Sequence, residues 1–214
     1  MQKQYDYIIL GAGLSGLTTA LRMQDDAYFS DKHIAIIDQN LNKGNDRTWC
    51  FWETEPDFYE SLVSYRWRKI LVAGHGLKDP ITIEPFTYKK VEGEAVYAFA
   101  KASLEQNPNV TFIEASVTHL KEQENEVTVH TNQGDHTARN VLNSIYKSEL
   151  LAKQAEAVVL QQHFIGWTVK TDIAVFNPEV ATYMDFSIAQ KGNCRFMYVL
   201  PTSTTEALLE YTLF

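Results

Sequence analysis

The feature that most constrains this chain is the run Gly11-Ala12-Gly13-Leu14-Ser15-Gly16, set between an apolar stretch and a helical pattern. Tyr7 to Leu10 is a short apolar run stopped by Gly11, and it reads as a buried parallel strand. Leu14, Leu17, Thr18 and Leu21 then recur at helical spacing, up to Met23. His33 to Asp38 is a second buried strand, and it ends in an acid. These pieces predict a βαβ unit. In a G-x-G-x-x-G turn the first glycine permits the tight turn, the second admits a pyrophosphate close to the backbone, and the third lets helix and strand pack closely. The helix N-terminus adds unpaired N–H groups and a positive dipole end. Gly11, Gly13, Ser15 and Gly16 are therefore candidate dinucleotide-binding residues, and Asp38 is a candidate acceptor for ribose hydroxyls. Asp38 follows Gly11 by 27 positions, against roughly 20 in the usual fingerprint. A polar insertion at 24–32 accounts for the excess. The alternative is a glycine turn in an ordinary α/β protein.

The chain has 214 residues, 45% of them hydrophobic, enough for a sizeable core in one domain or two. Its net charge of −8 argues against nucleic-acid binding through a broad basic face. Cys50 and Cys194 have no metal-ligand spacing, so neither a zinc site nor a disulfide framework is expected, and both are read as reduced cytosolic thiols. The six histidines are scattered without ligand or triad spacing, so no metal is expected. The first residues do not read as a signal peptide. Nothing approaches the roughly 18 consecutive apolar residues of a spanning helix. A soluble or surface-held protein is predicted.

Beyond the opening unit, Gly44 to Trp52 reads as loop, and Arg68 to Ala73 and Ile81 to Phe86 as strands. Glu94 to Leu104 reads as a helix. Val110 to Glu114, Ser116 to Lys121, Glu126 to Thr131 and Asn140 to Ile145 read as strands. From Gln161 the segments 161–170, 181–188, 194–200 and 207–214 all look extended, as in an antiparallel sheet. The expected division is an α/β nucleotide-binding region at 1–60 and 88–160, interleaved with a mostly antiparallel β region at 61–87 and 161–214.

Four further segments carry chemistry. In Asn45-Asp46-Arg47-Thr48-Trp49-Cys50-Phe51-Trp52, the planar fork of Arg47 suits a flavin phosphate or ring carbonyl, and the aromatics suit an apolar tunnel. A loop anchored by large side chains is the alternative. Phe164-Ile165-Gly166-Trp167 and Tyr183-Met184-Asp185-Phe186 place a glycine within a strand and an acid within an apolar stretch; alternation alone could put Asp185 in solvent. In Ala207 to Phe214, Glu210 is the one charge. It points outward with Leu208 and Thr212, or inward, where burial would raise its pKa and make it a candidate acid.

Taken in order, DYIILGAGLSGL, NDRTWCFW, FIGW, MDF, FMYVLP and LLEYTLF resemble the bacterial lycopene cyclase family across nearly the whole chain. The resemblance implies a Rossmann-like FAD-binding domain of the flavin monooxygenase and geranylgeranyl reductase type. It implies cyclisation of the linear ends of lycopene, or a related linear carotenoid, to β-ionone rings, with no net redox change but with reduced FAD required. It matches Glu210 to the family's catalytic acid and Asp185 to the acid of its MD segment. Gly11, Gly13, Gly16 and Asp38 match the adenosine-diphosphate site, and Arg47 the arginine of the RTW loop. It further implies a peripheral protein on the inner membrane face, and a family chain that continues well past Phe214. The 214 residues alone are accordingly expected to bind FAD weakly or not at all and to be inactive. The rivals are a redox flavoenzyme on the same scaffold, such as a monooxygenase or isoprenoid reductase, and a non-catalytic nucleotide-binding module.

Overall fold

The apolar run before the glycine turn forms the centre of a parallel sheet. The computed structural model describes residues 3–145 and 158–214. In chain order the elements are β1 (Lys3–Leu10), α1 (Leu14–Asp25), β2 (Ile34–Asp38), β3 (Thr48–Glu53), β4 (Val63–Trp67), β5 (Lys69–Ala73), β6 (Ile81–Thr82), β7 (Thr87–Glu92) and α2 (Gly93–Leu104). They continue as β8 (Val110–Glu114), β9 (Val117–Glu122), β10 (Val127–Thr131), β11 (Gly134–Asn143), β12 (His163–Lys170), β13 (Val180–Asp185), β14 (Arg195–Pro201) and β15 (Glu206–Leu213). The described residues fall into two compact units, 3–48 with 92–145, and 49–91 with 158–214.

The first unit is one six-stranded sheet in the order β8-β2-β1-β11-β10-β9. β8, β2, β1 and β11 run parallel, and β10 and β9 extend the sheet antiparallel. Ile34 to Ile37 are buried without alternation, as a parallel strand covered on both faces requires. One side of the sheet closes over Tyr5, Ile8, Leu10, Ala35, Ile37, Val129 and Ala138. α1 packs against β1, β2 and α2 through Gly16, Leu17, Ala20 and Leu21.

The second unit pairs a six-stranded sheet, β12-β15-β14-β13-β5-β6, with the three-stranded sheet β3-β7-β4. The larger sheet is antiparallel except where β13 runs parallel to β5. Between the sheets lie Trp67, Ile70, Ile83, Tyr88, Ala181 and Leu200. The Trp67 indole N–H donates to the Pro201 carbonyl at 3.2 Å.

Several expected boundaries move. Of Gly44 to Trp52, read from sequence as loop, the part from Thr48 is strand β3, which runs on to Glu53; its residues are almost all half-buried, so no alternation betrays it. The first crossing between units consequently falls at Thr48–Trp49 rather than near 60. β4 and β7 were not expected, and the strand expected to run to Phe86 stops at Thr82, short of Pro85, which has no backbone donor. The second expected crossing, at 87–88, falls at Val91–Glu92, and the third, near 160, adjoins residues 146–157, which lie outside the described residues.

β7 carries a buried cation. Lys89 is 4% exposed and its ammonium donates to Glu53 Oε2 at 2.7 Å and to Glu60 Oε2; Arg66 meets Glu60 Oε1 at 3.1 Å. The Lys89 hydrogen bond holds Glu60 below its ordinary 4.5. Burial opposes the charge on Lys89, but Glu53 and Glu60 outweigh it and hold its pKa above 10.5. A depressed carboxyl contributes stability above its unfolded pKa and loses it as pH falls through the folded value. A raised lysine contributes below its unfolded pKa and loses it as pH rises through the folded value. Denaturant melts from pH 3 to 11 should therefore show stability falling at both ends. Lys89→Met should flatten both limbs; a variant with unchanged pH slopes would contradict the assignment.

Candidate active site

At the end of β1 the chain turns at Gly11, whose φ of +98° suits glycine alone, and the Gly11 N–H donates to Ile37 O at 2.8 Å. A Cβ on Gly11 would lie 2.5 Å from Ser144 Oγ, which itself donates to Leu10 O at 2.6 Å. A Cβ on Gly16 would lie 1.9 Å from Gly11 O, so helix and turn touch backbone to backbone. Gly13 is different: a Cβ there meets nothing within 4 Å. It caps α1 without a side-chain bond, so no side chain of its own competes for the first-turn donors. Gly11, Gly13, Ser15, Asp38, Ser116 and Ser144 line a cleft of about 440 Å³.

Asp38 sits at the floor of this cleft. Burial opposes its ionisation, but Lys43 Nζ at 2.8 Å, the Asn40 N–H at 2.9 Å and the Ala12 N–H at 2.7 Å outweigh it and hold the carboxyl below its usual range. Lys43 went unnoticed in the sequence because a single lysine in a polar loop reads as solvated. It also lines a neighbouring, more apolar cavity of about 260 Å³ with Leu17, Tyr97, Ala98 and Phe112.

Arg47 is held by its backbone. Its carbonyl accepts from the Gly93 N–H at 2.8 Å, and a Cβ on Gly93 would lie 2.7 Å from that oxygen. Its guanidinium is mostly exposed, donates to Asp46 O at 2.9 Å, and does not line the 440 Å³ cleft. Asp46 Oδ1 accepts from Tyr97 OH at 2.9 Å; burial and that bond push the phenol up to about 12.

The aromatics of the 49–52 segment belong to the second unit. Trp52 packs on Tyr88 and Tyr183 with ring centroids 4.8 and 5.2 Å apart, and Tyr183 meets Tyr198 edge-on at 5.7 Å. Glu210 lies in β15 opposite Tyr198 of β14 and Gly166 of β12. It shares its face with Leu208, which packs with Leu200 against the core between the two sheets, so this is the inner face of the sheet. Burial raises the Glu210 pKa above 4.5, and no side chain among the described residues donates a hydrogen bond to it. Burial likewise pushes Tyr198 up to about 12, with Tyr183 and the Glu210 charge adding to it.

Asp185 is not brought to the same place. It ends β13 beyond an irregularity in the register, opposite Met197, whose side of the sheet is the reverse of Tyr198's. Its Oδ1 accepts from the Ser187 N–H at 2.8 Å, closing a local turn. Among the described residues there is no cluster of metal-ligating side chains, and no helix is long and apolar enough to cross a membrane.

This architecture is a Rossmann-like α/β unit interleaved with a mostly antiparallel β unit, the fold of the flavin monooxygenases and geranylgeranyl reductases. A geranylgeranyl bacteriochlorophyll reductase-like protein from Thermoplasma acidophilum matches with a TM-score of 0.69 at 13% identity, over 99% of this chain and 57% of that one. A probable FAD-dependent monooxygenase from Pseudomonas aeruginosa matches at 0.65 and 13%, over 98% and 60%. At such identities the likeness shows the fold alone. In sequence, the family model described as lycopene cyclase protein matches residues 6–214, and the chain belongs to that family. The lycopene beta-cyclase of Pantoea ananas is 29% identical over 99% of this chain and 53% of its own length. The chain thus spans about half the length of that relative.

Proposed function

We propose that the protein containing this chain is a lycopene cyclase that closes the linear ends of lycopene, or of a related linear carotenoid, by proton-initiated isomerisation. The single observation that carries this reading is Glu210, one carboxyl on the inner face of a sheet beside an aromatic cluster, with its pKa raised by burial. A carboxyl kept neutral in apolar surroundings can hold a proton until an alkene arrives. Glu210 gives that proton to the terminal double bond, leaving a tertiary cation. The next double bond attacks the cation and closes the ring, and loss of a ring proton restores neutrality. Product and substrate are then isomers. The faces of Tyr183, Tyr198 and Trp52 are suited to stabilise the cation through their quadrupoles without trapping it. Exclusion of water is needed, because water would convert the cation to an alcohol.

Residues of the first unit fit a flavin dinucleotide. The cleft volume lies within the roughly 300–1,000 Å³ of small-molecule sites. Gly13 leaves open space where a pyrophosphate must approach the backbone, and Asp38 stands at the end of β2, where ribose hydroxyls are bound in this fold. Gly11, Gly13, Ser15, Gly16 and Asp38 would hold the adenosine diphosphate, with Arg47 toward the flavin end. Bound in its reduced form, the flavin supplies negative charge that favours a cation. The substrate dissolves in lipid, so we place the protein on the inner membrane face. Phe164, Ile165 and Trp167, all more than half exposed, are available to such a surface.

The deciding experiment incubates the product of the complete reading frame anaerobically with lycopene and reduced FAD. Cyclic product with the flavin still fully reduced supports the reading. Reduced or oxygenated product with stoichiometric flavin oxidation would replace it with the redox alternative.

A further inference from the structure

We infer that Gly166 is a positioning residue for Glu210: the side chain missing from this one position of β12 lets the Glu210 carboxyl lie across the neighbouring strand. The inference rests on the reading of Glu210 as the proton donor and extends it to a second residue.

Glycine weakens a strand interior, and its presence there commonly marks a close approach. Nothing in the backbone demands it at 166, because the residue is outside the left-handed region where glycine is favoured. Five of its neighbours in β12, His163, Phe164, Ile165, Trp167 and Thr168, carry side chains and are exposed, so crowding by the fold is no reason either. The local reason is Glu210. A Cβ built on Gly166 would stand 3.0 Å from Glu210 Cγ, 3.3 Å from Oε1 and 3.6 Å from Cδ. These three nearest atoms all belong to one side chain.

The two residues are direct cross-strand partners, so their side chains share a face. On the other flank of Glu210, β14 presents Tyr198, with Tyr183 of β13 beside it, and Cys50 and Tyr88 come from the facing three-stranded sheet. Glu210 therefore leans over β12 because only there is a side chain absent. A methyl at 166 removes that resting place and pushes the carboxyl toward Tyr198. The backbone need not move, because the atoms that must yield, Cγ first, all belong to the Glu210 side chain, which can turn about its own bonds. The reacting proton is then displaced by a few tenths of an ångström or more, and misplacements of about 1 Å can cost on the order of 10²-fold in rate.

The test uses the product of the complete reading frame and the variants Gly166→Ala, Glu210→Gln and the double substitution. Gly166→Ala is expected to keep the wild-type melting temperature, flavin content and KM. Its kcat should fall by about ten- to a hundredfold. The alkaline limb of its pH profile, and the titration of the Glu210 carboxyl followed by carbon-13 NMR, should both move. In the Glu210→Gln background Gly166→Ala should change nothing further, since no proton remains to misplace. A Gly166→Ala protein with wild-type kcat and titration overturns the inference, as do losses that multiply in the double variant. So does failure of Gly166→Ala to fold, because the inference needs only one side chain to move. Near wild-type activity in Glu210→Gln instead overturns the reading of Glu210, whatever Gly166→Ala does.

Discussion

Glu210→Gln is expected to abolish ring formation while leaving fold and flavin binding in place. The substitution keeps size and shape and removes the transferable proton. It removes no hydrogen bond found among the described residues, because Glu210 makes none with their side chains, and it relieves a carboxyl of its burial penalty. Stability should therefore hold or rise slightly. General acids typically contribute roughly 10²–10⁴-fold, and protonation of an unactivated alkene puts this step at or above the upper end. In the wild type the raised pKa keeps part of the carboxyl protonated above the usual carboxylate range. Activity should fall as pH rises through that value, and Glu210→Gln should remove the dependence together with the rate. Asp185→Asn serves as the contrast. Asp185 closes a local turn on the reverse side of the sheet, so its loss should cost little turnover.

The second large effect separates two glycines of one motif. Gly16→Ala would put a methyl 1.9 Å from the Gly11 carbonyl oxygen, a backbone atom held by its own turn. Overpacking of a well-packed site costs typically 1–3 kcal/mol, occasionally more, and here no flexible group can yield. A loss of about 3 kcal/mol or more is expected, seen as a lower melting temperature with or without ligand. Gly13→Val should leave the ligand-free protein nearly unchanged, within about 0.5 kcal/mol, since its Cβ meets nothing within 4 Å and its φ of −87° is open to any residue. It should instead lose the stabilisation a ligand confers, about 2.7 kcal/mol at a hundredfold excess over Kd. Thermal shifts with ADP and with FAD measure this directly. A Gly13→Val protein stabilised like wild type by both would remove the nucleotide from this cleft.

The parts of the molecule that announce themselves by local rules were legible. β1, α1 and β2 follow from an apolar run, three spaced glycines and a terminal acid, each tied to a backbone requirement. Most strands after Val110 follow from alternation bounded by turn residues. β3 and β7 were not legible, because their burial comes from two sheets closing on each other and leaves no two-residue period. Lys89 is the sharpest case. Lys89-Lys90 reads as a solvated pair, yet Glu53 and Glu60, distant in sequence, neutralise Lys89 in the interior. Lys43 beside Asp38 and Gly93 against Arg47 were missed for the same reason: each acts through a contact that only the fold creates. For Glu210 the sequence left two directions open, and the packing of Leu208, two residues before it, into the core between the sheets chooses the inner one.

The central claim, that a proton rather than an electron pair starts the reaction, is tested most directly in heavy water. The product of the complete reading frame is incubated anaerobically with lycopene and reduced FAD in D₂O, and the carotenoids are analysed by mass spectrometry. Proton-initiated closure adds one deuteron and releases one proton for each ring, so the product should carry one deuterium per ring formed. Ring product without deuterium, or product heavier by a full hydrogen pair or by oxygen, would contradict it.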